Sequence, residues 1–168
     1  MVVKLVNTVL HTAYYKSPIG IIQLFEENNF LTVAHFIDES ISEPSNSSKL
    51  LDDTLQQFDE YFSGTRIEFN LPLHAEGTNF QKSVWEKLIE IPFGKTITYL
   101  QLAKRLGNVK SIRAAASANG KNPLAIIIPC HRVIGADGKL TGYAGGLLRK
   151  QWLLAHEAKI NGHPLLFS

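Results

Sequence analysis

Strand-type segments crowd the first quarter of this 168-residue chain and helical periodicity takes over afterwards, an order that limits the fold class before any other feature is weighed. Ala13-Tyr14-Tyr15-Lys16 and Ile19-Gly20-Ile21-Ile22-Gln23-Leu24-Phe25 flank Ser17-Pro18, a hairpin-like pair of short strands. Asn28-Asn29 makes a turn, and Phe30 to Phe36 reads as a third strand. The Ser-, Pro- and Asn-rich stretch Ser40 to Ser48 reads as a loop. Leu50, Leu51, Leu55, Phe58, Tyr61 and Phe62 recur at helical spacing, which predicts an amphipathic helix over 49–62 ended by Gly64.

The remainder reads as mostly helical. Thr78 caps a helix carrying Phe80, Val84, Trp85 and Leu88 on one face, and Ile91-Pro92-Phe93-Gly94 stops it. Thr98 caps a short helix, Tyr99 to Leu106, ended by Gly107; a second runs from Ser111 to about Asn119. Two short helices around a Gly-containing turn make a helix-turn-helix pattern. Leu124 to Ile128 reads as a strand, Gly135 to Gly146 as a Gly-rich loop, and Leu147 to Glu157 as a last helix with Leu148, Trp152, Leu153 and Leu154 on its apolar side. The expectation is an α+β chain of two small domains. Residues 1–75 form an antiparallel sheet plus a helix, and residues 76–168 form a mostly helical unit with the helix-turn-helix and the single cysteine.

Charge is divided along the same line. Residues 1–84 carry five Lys/Arg against eleven Asp/Glu, a net charge of −6, and residues 85–168 carry twelve against four, a net charge of +8. Only the second half is suited to a polyanion. Composition is otherwise that of a globular protein, with 45% hydrophobic and 19% charged residues. No apolar run approaches the roughly 20 residues of a membrane span. Met1-Val-Val-Lys-Leu does not resemble a secretory signal, so a soluble, cytoplasmic protein is expected, or a nuclear one if the source has a nucleus. One cysteine excludes an internal disulfide framework and a Cys-Cys zinc clip.

That cysteine, Cys130, follows an apolar run and Pro129, and His131 and Arg132 come directly after it. A free thiol is only several per cent ionised near neutral pH, at a pKa of about 8.5. Both neighbours can favour the thiolate, and a bridging water can carry the proton to His131. The helix at 111–119 has an unusually small exposed face, including Ala114 and Ser117, with Arg113 as its one large side chain. Such a face suits a narrow groove better than base reading in a wide one.

Ile128-Pro129-Cys130-His131-Arg132-Val133 resembles the active-site motif of the O6-alkylguanine-DNA alkyltransferases, the methylated-DNA–protein-cysteine methyltransferases. The resemblance runs from Phe80-Gln81-Lys82-Ser83-Val84-Trp85 through Ile91-Pro92-Phe93-Gly94, Thr98-Tyr99, Arg113-Ala114 and Asn122-Pro123. It continues through Gly142-Tyr143-Ala144-Gly145-Gly146 to Lys150-Gln151-Trp152-Leu153-Leu154-Ala155-His156-Glu157, covering essentially all of residues 78–157. The first half matches mainly at Ser17-Pro18-Ile19-Gly20.

The resemblance implies an RNase H-like first domain and direct reversal of DNA damage. The alkyl group of O6-alkylguanine, and of O4-alkylthymine, passes irreversibly to Cys130 in a single turnover, without cofactor. By resemblance His131 takes the thiol proton through water, Glu157 orients His131, Asn122 braces the turn and Tyr99 offers its hydroxyl to the departing base. The backbone of Cys130 and Val133 accepts from the exocyclic amine, the N–H of Ala144 faces O6, and Tyr143 walls the pocket. The partner implied is duplex DNA, entered through the minor groove by the helix carrying Ala114 and Ser117, with Arg113 filling the place of the flipped nucleotide. Lys104, Arg105, Lys110, Lys121 and Arg132 are expected phosphate contacts, and the protein is expected to be a monomer.

Some family members hold structural zinc through N-terminal cysteines; this chain has none to spare, so no metal site is expected. Ala144 stands where relatives also carry Ser, which alters pocket size rather than the backbone contact. Two other readings fit the residues: a Cys/His hydrolase using Cys130, His131 and Glu157, and a lesion-binding module without chemistry.

Overall fold

The computed structural model describes residues 9–38, 41 and 45–163. Strands β1 (Leu10–Ser17), β2 (Gly20–Glu27) and β3 (Phe30–Ile37) form an antiparallel sheet in the order β1-β2-β3. The β2–β3 turn places both Asn28 and Asn29 at positive φ, 54° and 63°, a conformation Asn tolerates well. Alternate residues Ala13, Tyr15, Ile22 and Leu24 are buried on one face. Helix α1 (Lys49–Ser63) covers that face with Leu51, Phe58 and Tyr61. Ser48 caps its start, and Gly64 ends it at φ 83°, where a Cβ would be strained. Part of the expected Ser40–Ser48 loop lies outside the described residues.

Helix α2 (Asn79–Ile89) opens with a capping box between Thr78 and Gln81, and α3 (Tyr99–Arg105) with another between Thr98 and Gln101. A short 3-10 turn, Val109–Ser111, leads into α4 (Ile112–Gly120). Trp85 on α2 donates its indole N–H to the Ala118 carbonyl at 2.9 Å, locking α2 against α4. Two-residue strands β4 (Ile97–Thr98) and β5 (Val133–Ile134), which the sequence reading missed, pair in parallel. Helix α5 (Leu147–Ile160) closes the domain and runs three residues beyond the expected end. The two-domain α+β architecture is as the sequence reading expected. Among the described residues no helix is long and apolar enough to cross a membrane.

Two local expectations are corrected. Leu124 to Ile128 is not a strand: Ile126 sits at φ 71°, and the Ile128 N–H donates to the Leu124 carbonyl at 2.9 Å, folding the run into a tight turn. The cause is Asn122, whose amide accepts from Leu124 N–H at 3.0 Å and donates to the Ile128 carbonyl at 2.7 Å, capturing groups a ladder would have used. The start of the run still extends the sheet edge, since Ala34 N–H donates to Pro123 O and Ala125 N–H to Ala34 O, both at 2.8 Å. Leu148 is not on the apolar side of α5; it is 82% exposed. The buried stripe is Lys150, Leu153, Leu154, Glu157 and Ala158, which follows an i, i+3, i+4, i+7, i+8 spacing and includes two charged residues.

Candidate active site

Cys130 begins a 3-10 turn, Cys130–Arg132, that starts in the Asn122-braced turn and ends in β5. The Asn122 amide donates to its Sγ at 3.1 Å, and the Cys130 carbonyl accepts from Asn119 Nδ2 at 3.3 Å. The thiol is only 4% exposed. Burial pushes its pKa up, against the downward pull of the Asn122 amide and of the Lys150 ammonium. The net direction is upward, so the resting group is a thiol, although the backbone N–H of His131 is among the groups that pull the other way.

His131 is fully buried and its Nε2 meets Glu157 Oε1 at 2.7 Å. Burial lowers its pKa and outweighs the Glu157 carboxylate, leaving a neutral imidazole. In the tautomer that donates from Nε2 to the carboxylate, Nδ1 carries the lone pair; that atom has no hydrogen-bond partner within the protein. Burial alone would raise Glu157, but His131 and Arg132 hold its carboxyl well below the usual carboxylate range.

Arg132 departs from the sequence reading. It is not a phosphate contact on the surface but a buried fork, donating from Nε to Glu157 Oε2 at 2.9 Å, from Nη2 to Oε1 at 3.0 Å and from Nη1 to the Ile91 carbonyl at 2.7 Å. The Gly94 N–H and the Tyr61 hydroxyl complete five donors around one carboxylate.

A cavity of about 370 Å³ is lined by Tyr99, Arg113, Ala116, Asn119, Gly142 and Tyr143 among others, and of these Asn119 is the residue that also donates to the Cys130 carbonyl. Tyr99 donates its hydroxyl to the Thr141 carbonyl at 3.2 Å, and the Tyr143 hydroxyl is buried without a partner. Arg113, Ala114 and Ser117 are exposed on α4, while Ala115 and Ala118 face the core. Ala144 is exposed on the loop before α5. Lys104, Arg105, Lys110 and Lys121 are exposed.

Sequence reasoning assigned no role to Lys150, which is fully buried and donates to the carbonyls of Val133 at 2.6 Å, Thr141 at 2.9 Å and Gly142 at 3.3 Å. It ties the 135–146 loop to β5 and already occupies one lone pair of the Val133 carbonyl. Its signal was available: a Lys on the buried stripe of an amphipathic helix needs partners. Among the described residues, no group of three or more His, Cys, Asp or Glu is placed to hold a metal ion.

Two family models cover most of the chain. Residues 79–159 match the DNA-binding domain of 6-O-methylguanine DNA methyltransferase, and residues 10–75 match its ribonuclease-like domain. The chain belongs to this family. A methylated-DNA–protein-cysteine methyltransferase from Methanosarcina acetivorans is 45% identical, covering 88% of this chain and 98% of that protein. One from Mycolicibacterium paratuberculosis is 43% identical over 85% of this chain and 89% of that protein. The crystal structure of Mycobacterium tuberculosis O6-methylguanine methyltransferase superposes with a TM-score of 0.81 at 40% identity, covering 90% of this chain and 94% of that one. The same enzyme in complex with DNA gives 0.81 at 41% identity, covering 89% and 94%. Members of the family are direct-reversal alkyl-transfer enzymes, and this chain is a methylated-DNA–protein-cysteine methyltransferase by descent along nearly its whole length.

Proposed function

We propose that this chain repairs O6-alkylguanine in duplex DNA by moving the alkyl group to Cys130 once and irreversibly. The observation that carries this reading is the Asn122–Cys130 contact together with the His131–Glu157 pair, with Asn119 joining the Cys130 carbonyl to a cavity whose lining includes Tyr99 and Tyr143. The thiol proton passes to neutral His131 through an intervening water, and the Glu157 carboxylate stabilises the imidazolium that forms. The sulfur then attacks the alkyl carbon. The S–C bond forms as the C–O6 bond breaks, and O6 keeps the electron pair. The Tyr99 hydroxyl exchanges the Thr141 carbonyl for the base and passes its proton to it, so guanine leaves neutral, and the proton held on His131 returns through water to restore the phenol. A thioether remains, which thiol exchange does not reverse.

The base reaches that cavity only if it leaves the stack, at a cost of a few kcal/mol. Helix α4 offers the approach: Ala114 and Ser117 keep its face low enough for the minor groove, and Arg113 stands at the cavity rim. Lys104, Arg105, Lys110 and Lys121 supply phosphate contacts, and α3 with α4 serves as the helix-turn-helix of residues 76–168. The Val133 carbonyl, the Cys130 carbonyl and the Ala144 N–H contact the base edge. The protein acts as a cytoplasmic monomer.

The test is intact mass after incubation with a duplex carrying one O6-methylguanine. The expected result is a single adduct of about 14 Da on Cys130 and no further turnover, the mass gained when a methyl replaces a thiol proton. No adduct at excess DNA overturns the reading, and repeated product release would make the protein a hydrolase.

A further inference from the structure

The relay carboxylate is shared between the two domains. Tyr61, on α1 of the N-terminal domain, donates its hydroxyl to Glu157 Oε1 at 2.8 Å, and both side chains are fully buried. Oε1 is the same oxygen that receives His131 Nε2 at 2.7 Å. Three donors thus divide one oxygen: Tyr61, His131 and Arg132 Nη2. Oε2 takes Arg132 Nε and the Gly94 N–H. Arg132 neutralises the carboxylate whatever Tyr61 does, so the phenol is not needed to balance its charge. What it does is draw electron density from the oxygen that must stabilise an imidazolium.

We propose that Tyr61 is a positioning residue of the active site, a phenol from the N-terminal domain that weakens the hold of Glu157 on His131 and keeps the imidazole neutral and ready to accept the Cys130 proton. The inference rests on the alkyl-transfer reading for its consequence, though not for its measurement. It gives the N-terminal domain a chemical part beyond scaffolding. The ring is fixed for the task by its neighbours, edge-on to Phe62 at 5.2 Å and to Phe93 at 6.1 Å between centroids, and tilted against His156 at 5.4 Å. The hydroxyl therefore cannot swing away without disturbing an aromatic cluster that spans both domains. Burial and the Glu157 charge both keep Tyr61 protonated, so it acts only as a donor.

The charged and titratable groups around the His131–Glu157 pair are Tyr61 from α1, Cys130 and Arg132 from the 3-10 turn, Tyr143 from the loop before α5, and Lys150 from α5. Arg132 and Lys150 oppose a charge on His131, and Glu157 favours it. Removing the Tyr61 hydroxyl leaves Oε1 with two donors instead of three. The oxygen becomes a stronger acceptor, and the charged imidazole is favoured.

Tyr61→Phe keeps the ring and its packing, and the carboxylate retains four other donors, so the variant folds. The experiment follows the His131 ring resonances by NMR against pH in wild type, Tyr61→Phe, Glu157→Gln and the double variant. The midpoint should rise in Tyr61→Phe by on the order of half a pH unit, the differential effect of one neutral donor on a carboxylate. In the Glu157→Gln background the same substitution should move it by nothing measurable, since the shared oxygen is gone. An equal midpoint in wild type and Tyr61→Phe overturns the inference. So does a ring that stays neutral in both down to acid unfolding, or an equal rise with Glu157 absent. Adduct formation with free O6-benzylguanine, measured on the same samples, reports the alkyl-transfer reading separately.

Discussion

Arg132 grips Glu157 with two nitrogens, Nε to Oε2 at 2.9 Å and Nη2 to Oε1 at 3.0 Å, and so turns the residue that follows His131 inward rather than toward solvent. The bidentate fork fixes the plane of the carboxylate, and with it the direction from which His131 is held. A third nitrogen reaches the Ile91 carbonyl at 2.7 Å, which anchors the pair to the end of α2.

Arg132→Ala should therefore be a stability variant before it is a DNA-binding variant. It strips the main counter-charge from a fully buried carboxylate, a loss of about 3–5 kcal/mol by chemical denaturation. The salt dependence of DNA affinity should keep its slope. A slope reduced as by loss of one phosphate contact would return Arg132 to the DNA interface.

Glu157→Gln tests the relay through pH. Without the carboxylate, transfer of the Cys130 proton to His131 is disfavoured, so alkylation should depend on direct ionisation of a thiol that burial already pushes up. The rate profile then moves to alkaline pH, read with free O6-benzylguanine. Stability responds in the opposite range. The native Glu157 carboxyl sits below its usual range, so its contribution is present above about pH 4.3 and is lost as pH falls. The Gln variant should be weaker at neutral pH and lose less on acidification below about pH 4.3, as followed by thermal melts from pH 7 down to about pH 2.

Asn122→Ala removes the amide that meets the sulfur at 3.1 Å. That amide pulls the thiol down, so its loss should push Cys130 further up and slow alkylation at neutral pH by on the order of tenfold, the cost of about 1.4 kcal/mol when a hydrogen bond to a charged sulfur is lost. Iodoacetamide labelling against pH measures the shift directly. Because Asn122 also closes the 124–128 turn, the variant should unfold earlier as well.

Arg113→Ala should separate extrusion from chemistry. The side chain is exposed at the rim of the cavity, away from the buried relay. Reaction with duplex DNA should fall by on the order of tenfold or more beyond any loss with free O6-benzylguanine, since about 1.4 kcal/mol of extrusion cost is a factor of ten. Equal losses on the two substrates would remove Arg113 from base extrusion.

Local signals in the chain were enough for most of the elements and for the choice of the proposed reacting group. Alternation in β1 to β3, the caps Ser48, Thr78 and Thr98, and the stop at Gly64 are decided by residues within a few positions of one another, so they are legible without tertiary knowledge. The motif around Cys130 points to the proposed nucleophile and its histidine for the same reason. What the sequence could not decide was set by partners far along the chain. Leu124–Ile128 looked like a strand because its apolar run says only that it is buried; the side chain of Asn122 chose a turn instead. Arg132 looked like a phosphate contact until Glu157, 25 residues later, drew it into the core. Tyr61 looked like one more apolar position of a helix, and its hydroxyl acquires meaning only through an oxygen 96 residues away. Burial and the sharing of one carboxylate are properties of the assembled core, and no local pattern encodes them.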